Sequence, residues 1–77
     1  RDRYYMNKKN KIKIVVNGKL LTVNLKFSLK NLVEKLKTPI NKVAIELNEE
    51  IVDKKKLNKI FLKNKDKIEI VHFIGGG

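Results

Sequence analysis

Cysteine and tryptophan are absent from this sequence, and proline, methionine and histidine occur once each. Without cysteine the chain forms no disulfide and no thiolate metal site, and a lone His72 cannot build a histidine cluster. Any sulfur chemistry must therefore use some group other than a cysteine of this chain. Long apolar runs are missing as well. No stretch approaches the roughly 18–20 residues that cross a membrane, and the first residues lack the apolar core of a secretory signal. The expected compartment is the cytoplasm, with a plastid stroma as the alternative. Glycine is confined to Gly18 and the last three positions, so no phosphate-cradling glycine loop lies within the chain.

Arginine is nearly missing too: among 19 basic residues only Arg1 and Arg3 are not lysine. The net charge of +11 suggests a polyanionic partner. Arginine, however, is the side chain that reads phosphate and base edges with two parallel hydrogen bonds, so its scarcity argues against nucleic acid. Lysine, asparagine and isoleucine share A/T-rich codons. Codon bias with solvated lysine faces accounts for the charge, and a functional basic surface is the alternative. Aromatics that could stack on bases are also few. Tyr4 and Tyr5 fall in the leader, and most phenylalanines are expected to be buried.

What is present is a regular alternation. Residues 1–10 are polar and irregular and read as a flexible leader; Met6 is a candidate natural start, which would make Arg1 to Tyr5 an appendage. From Lys11, Ile12, Ile14 and Val16 alternate with Lys11, Lys13 and Val15 at the period of a half-buried strand. Asn17-Gly18 is the preferred pair for a two-residue type I′ hairpin turn. A second strand follows, with Leu21, Val23 and Leu25 facing inward.

In "FSLKNLVEKLKTP", Leu29, Leu32, Val33 and Leu36 form one stripe of an amphipathic helix. Ser28 is its predicted N-cap, and Pro39 lies just past its end. "KVAIELN" resumes alternation with Val43, Ile45 and Leu47 inward and Glu46 outward. Asn48 to Glu50 read as a turn and Ile51-Val52 as a very short strand. Asp53 is placed to cap a brief helical turn through Leu57, Ile60 and Phe61, and Asn64 to Asp66 make a polar turn. "KIEIVHF" is the last strand, with Ile68 and Ile70 toward the helix.

Two strands, a helix, a strand, a short strand and a final strand predict an α+β fold of β-grasp type. It is a mixed sheet of four or five strands with one main helix on one face and a short second helical turn. The last strand is expected beside the first, in the middle of the sheet. A domain over residues 11–74 with a flexible glycine tail at 75–77 follows.

Catalysis within the chain finds little support. Ser28 is better used as a cap, His72 has no acid partner, and Glu49 and Glu50 fall in a solvated turn. A domain this small is not expected to wrap a pocket of several hundred cubic ångströms. The tail remains. A terminal carboxylate, with a pKa of about 3.3–3.7, is ionised at neutral pH and can attack the α-phosphate of ATP. Adenylation turns a poor acyl donor into a good one. Glycine has no Cβ to obstruct a close approach to an enzyme wall, and three extended residues reach at most ~10–11 Å. The alternative is a passive, disordered end.

A short β-grasp pattern whose last strand runs into a terminal Gly-Gly resembles the ubiquitin-like sulfur carriers. "DKIEIVHFIGGG" most closely resembles the ThiS family of thiamine biosynthesis, and "NGK", the Leu/Val helix after Ser28 and "VAIELNEEIV" also fit it. The related carriers of molybdopterin synthesis usually approach their Gly-Gly through a proline, which "VHFIGGG" lacks.

The resemblance implies a protein cosubstrate rather than an enzyme. A ThiF-like activating enzyme, using ATP and magnesium, would adenylate the carboxylate of Gly77. A persulfide on a partner protein would then leave a thiocarboxylate there, and a ThiG-like thiazole synthase would take the sulfur into a thiazole ring. It implies no bound cofactor and no metal site in this chain. Gly76 and Gly77 carry over from the family's motif, and Gly75 less firmly. Strand parity adds Val71 and Phe73: opposite Ile68 and Ile70, they point to the uncovered face and form a candidate docking patch beside the tail. His72 is expected to pack at the strand's end. A lysine-rich RNA-binding module and a ubiquitin-like protein modifier are the competing readings.

Overall fold

The computed structural model of the chain describes residues 10–73. Strand β1 (Lys11–Val16) and strand β2 (Lys19–Asn24) pair antiparallel from Lys11↔Asn24 to Val16↔Lys19. Asn17 and Gly18 both have positive φ, 48° and 83°, as a type I′ turn demands; its twist matches that of the strands it joins. Ile12 and Ile14 are buried, and Val16 packs against the core from its edge. Leu25 breaks the expected alternation. The strand ends at Asn24, Lys26 turns the chain with φ 67°, and Leu25 is exposed.

Helix α1 (Leu29–Lys35) begins at Ser28, whose hydroxyl accepts from the Asn31 N–H while the Asn31 side chain accepts from the Ser28 N–H. This reciprocal pair satisfies two N-terminal donors that helical geometry leaves free. Leu29, Leu32 and Val33 are buried, but Leu36, the fourth member of the stripe, is the C-cap residue and partly exposed to solvent. The chain leaves through Lys37 at φ 55°. The Lys37 N–H donates to Glu34 O and that of Thr38 to Val33 O, a Schellman ending that swings the last turn off the sheet.

A 3₁₀ turn (Ile40–Lys42) leads into β3 (Val43–Leu47), which pairs antiparallel with β4 (Glu50–Ile51). The short strand therefore sits one residue earlier than the sequence pattern predicts, and Val52 rather than Ile51 packs on the core. Asp53 caps a second 3₁₀ turn (Lys54–Lys59) by accepting from the Lys55 N–H. Ile60 and Phe61 lie beyond that turn. There Ile60 O accepts from Leu29 N–H and Leu62 N–H donates to Phe27 O, stitching this segment to the start of α1.

Strand β5 (Lys67–His72) completes a sheet of order β2-β1-β5-β3-β4. It runs parallel to β1 and antiparallel to β3, in the central place the pattern predicts. One face of the sheet packs under α1, where Ile14, Leu29, Leu32, Val43, Ile45 and Ile68 are fully buried. Burial of such side chains, at about 1.5–3 kcal/mol each, is the principal support of so small a domain.

The parallel contact of β5 with β1 is brief. It covers Val15↔Lys67 and Val16↔Ile68, and Asn17 extends it. The Asn17 N–H donates to Ile68 O at 2.9 Å. Its side-chain oxygen then accepts from the Ile70 N–H at 2.7 Å, and its amide nitrogen donates to Ile70 O at 3.3 Å. The side-chain amide stands in for the next peptide of the ladder. Asn17→Gly keeps the left-handed backbone and removes both bonds. It should cost about 1–3 kcal/mol in urea unfolding and speed hydrogen exchange at the Ile70 amide.

Candidate functional site

The side chains of β5 alternate between two environments. Ile68 and Ile70 enter the core, while Lys67, Glu69 and Val71 stand on the face that α1 leaves uncovered. Val71 is 52% exposed and Phe73, just past the strand, 54%. Both are open surface, as their parity requires. Val71 sits opposite Ala44 of β3, and one step back Glu69 sits opposite Glu46, which in turn faces Ile51 of β4. The uncovered face near the tail thus carries a short apolar strip bordered by two carboxylates directly across from each other. Like charges in that position repel. On the same face Lys67 stands next to Glu69 along β5.

Gly75, Gly76 and Gly77, to which the sequence assigns the chemistry, lie outside the described residues, as do Ile74 and residues 1–9 of the leader. What the structure fixes is the base of the tail. The Phe73 N–H donates to Lys42 O at 2.8 Å. Lys54 donates to Val43 O at 2.7 Å and to Ile40 O at 3.0 Å, and its Nζ lies 5.3 Å from the centre of the Phe73 ring.

Three expectations change. His72 pairs with Val43 through the backbone, but its side chain is exposed rather than packed, because α1 does not extend over that end of the strand. Phe61 and Phe73 are both more than half exposed, and Phe27 is partly buried; the phenylalanines serve surface as much as core. A concavity of about 500 Å³ lies between α1 and the second 3₁₀ turn, larger than expected for this size. It is lined by Val33, Ile40 and Leu57 with Lys30, Lys37 and Lys55 among its polar residues. It is open to one side, and Glu34, Thr38, Lys54 and Asn58 complete its lining.

Among the described residues no group of three or more histidine, cysteine or acidic side chains could hold a metal ion. No helix among them is long and apolar enough to cross a membrane. Two contributors escaped the sequence pattern. Asn17 was already accounted for by its turn, and Lys54 is one of three consecutive lysines with nothing local to single it out.

A crystal structure of the thiamine biosynthesis protein ThiS from Geobacter metallireducens superposes with a TM-score of 0.76 at 30% identity, covering 86% of this chain and 100% of that one. The profile of the ThiS family matches residues 14–77, which includes all of the tail. The chain belongs to the ThiS family. This family comprises small sulfur carriers rather than catalysts, and its ubiquitin-like β-grasp is the fold described above.

The sulfur carrier protein ThiS of Bacillus subtilis is 49% identical over 35 residues, 46% of this chain and 53% of that protein. The thiazole synthase of Paramagnetospirillum magneticum is 38% identical over 66 residues, 86% of this chain. This chain spans about a fifth of that synthase's length, the match covering 20% of it.

Proposed function

We propose that this protein carries sulfur for the thiazole ring of thiamine, as a thiocarboxylate on Gly77. The family match through residue 77 carries the reading. The placement of β5, which aims the chain toward its glycines from the middle of a rigid sheet, supports it. The chemistry balances in three steps. A carboxylate oxygen of Gly77 attacks the α-phosphorus of ATP on a magnesium-dependent activating enzyme, and pyrophosphate leaves. A partner's persulfide sulfur attacks the acyl carbon, and AMP leaves. A further thiol then breaks the resulting sulfur–sulfur bond, leaving the thiocarboxylate here and a disulfide elsewhere. Since this chain has no cysteine, every thiol in the sequence belongs to a partner.

Thiazole synthase is the proposed acceptor. In the Paramagnetospirillum magneticum protein of that name a segment similar to this chain shares one polypeptide with the rest of the synthase; such fusion suits a donor and acceptor that must meet. The deciding experiment is intact mass after incubation with ATP, magnesium, the cognate activating enzyme and a sulfur source. Exchange of one oxygen for sulfur in the C-terminal peptide is expected. An unchanged mass, with an enzyme that charges another carrier, would count against the reading. Cytoplasm or plastid stroma, where such partners would be found, is the proposed compartment.

Val71 and Phe73 are the proposed docking residues, with Gly75 and Gly76 threading the partner's cleft. Buried apolar anchors at an interface commonly contribute more than 1 kcal/mol each. Val71→Lys should therefore raise the KM of the activating enzyme for the carrier about tenfold or more. Because Val71 is already half exposed, the melting temperature should hardly move.

A further inference from the structure

Lys54, Lys55 and Lys56 are equivalent in sequence and unlike in space: Lys55 and Lys56 are exposed, whereas Lys54 is partly buried. An ammonium has three donors. Two from Lys54 reach Val43 O and Ile40 O, at 2.7 and 3.0 Å, capping the carbonyls where a 3₁₀ turn becomes β3. The same charge stands 5.3 Å from the centre of the Phe73 ring, within the range of attraction between a cation and an aromatic face. Lys42, between those two acceptors, takes the Phe73 N–H through its own carbonyl at 2.8 Å. Backbone and ring of Phe73 are therefore both tied to the stretch from Ile40 to Val43, one directly and one through Lys54.

The geometry points to Lys54 as a positioning residue for the reactive tail. By holding Phe73 against the Ile40–Val43 stretch it sets the direction in which the last four residues leave the body. The inference rests on the sulfur-carrier reading above. Four residues reach at most ~14 Å, and glycines do not steer themselves. The orientation of the Gly77 carboxylate relative to the docked body is then governed by where the tail is rooted. If the root frays, the body still docks but the carboxylate spends less time in line with its target. A misplacement of about 1 Å can cost a hundredfold in rate. The loss belongs to kcat rather than KM.

Lys54→Met keeps most of the apolar stem and removes the cation. Two readouts follow: hydrogen exchange at the Phe73 amide in the free carrier, and the kinetics of carrier-dependent ATP–pyrophosphate exchange on the activating enzyme. The expected result is exchange at Phe73 about tenfold faster, and kcat lower by roughly ten- to a hundredfold at unchanged KM. Lys54→Arg should restore both, since a guanidinium also donates to carbonyls and stacks on aromatic rings. Lys55→Met should change neither. If Lys54→Met does not fold, Lys54→Gln, which keeps donors without charge, should show the same kcat loss.

A merely structural role would lower the melting temperature without changing kcat of the folded carrier. Wild-type kcat in a folded Lys54→Met or Lys54→Gln carrier, or a loss that Lys54→Arg does not restore, overturns the inference and leaves the carrier reading intact. Wild-type protein that supports no pyrophosphate exchange with an enzyme proven on its own carrier overturns the carrier reading. The clamp is then decided by Phe73 exchange alone, with an unchanged rate in Lys54→Met refuting it.

Discussion

A chain ending at Gly76 is expected to fold as the full chain does and to accept sulfur at least about a hundredfold more slowly, which in an intact-mass assay reads as no loading. The buried residues identified in the core all lie between Ile12 and Ile70, so removing residue 77 leaves that packing untouched and the melting temperature should stay where it was. The carboxylate, however, retreats by one residue, ~3.3–3.6 Å of extended chain. That shortfall exceeds the ~1 Å error that already costs a hundredfold. The remaining terminus is still a glycine carboxylate, so the expected loss is one of reach and not of reactivity. Full loading of the shortened chain would show that an enzyme accepts the tail without regard to length.

Leu32→Ala should have the largest effect on stability. Leu32, on the buried side of α1, is fully buried, and truncation removes transferred surface and leaves a cavity, together about 2–5 kcal/mol. A domain of this length has roughly 4–12 kcal/mol in all. The variant therefore loses a large part of its stability, and the melting temperature should fall by ~10 °C or more. Leu36→Ala is the informative comparison. Leu36 belongs to the same heptad-like stripe by spacing, yet it is the C-cap residue and 41% exposed; its truncation should cost under about 1 kcal/mol. Urea midpoints of the two variants, with unchanged m values, would separate them. Equal losses would mean that the helix continues onto the sheet past Lys35.

Those two leucines also mark where the sequence could be read and where it could not. The hairpin, the helix and the central final strand were legible because alternation at period two and a stripe at period 3.6 follow directly from backbone geometry. The exposed positions of Val71 and Phe73 followed from the same parity. Leu25 and Leu36 misled because each sits where an element stops, and periodicity carries no mark of its own termination. Lys37 ends the helix at positive φ without the glycine that usually announces such an ending. Asn17 and Lys54 were hidden for a different reason. Their partners lie 53 residues away for Asn17 and 11 and 14 for Lys54, beyond the reach of any local pattern. Asparagines 31, 48 and 64 likewise accept from backbone N–H groups, at Ser28, Lys67 and Lys13. An abundance that codon bias alone could explain is here put to structural use.

The position of β5 has one more consequence, a mechanical one. Under the proposed function, the tail would be drawn into one enzyme, released and drawn into the next. Had the last strand been at an edge, a pull on the tail would peel it away, breaking hydrogen bonds one after another like a zipper. β5 instead lies between β1 and β3, antiparallel to one and parallel to the other. Tension along it loads in shear the bonds to β3 from Ile68 to His72 and those to β1 and Asn17 from Lys67 to Ile70. The body can be tugged by its tail without opening its core.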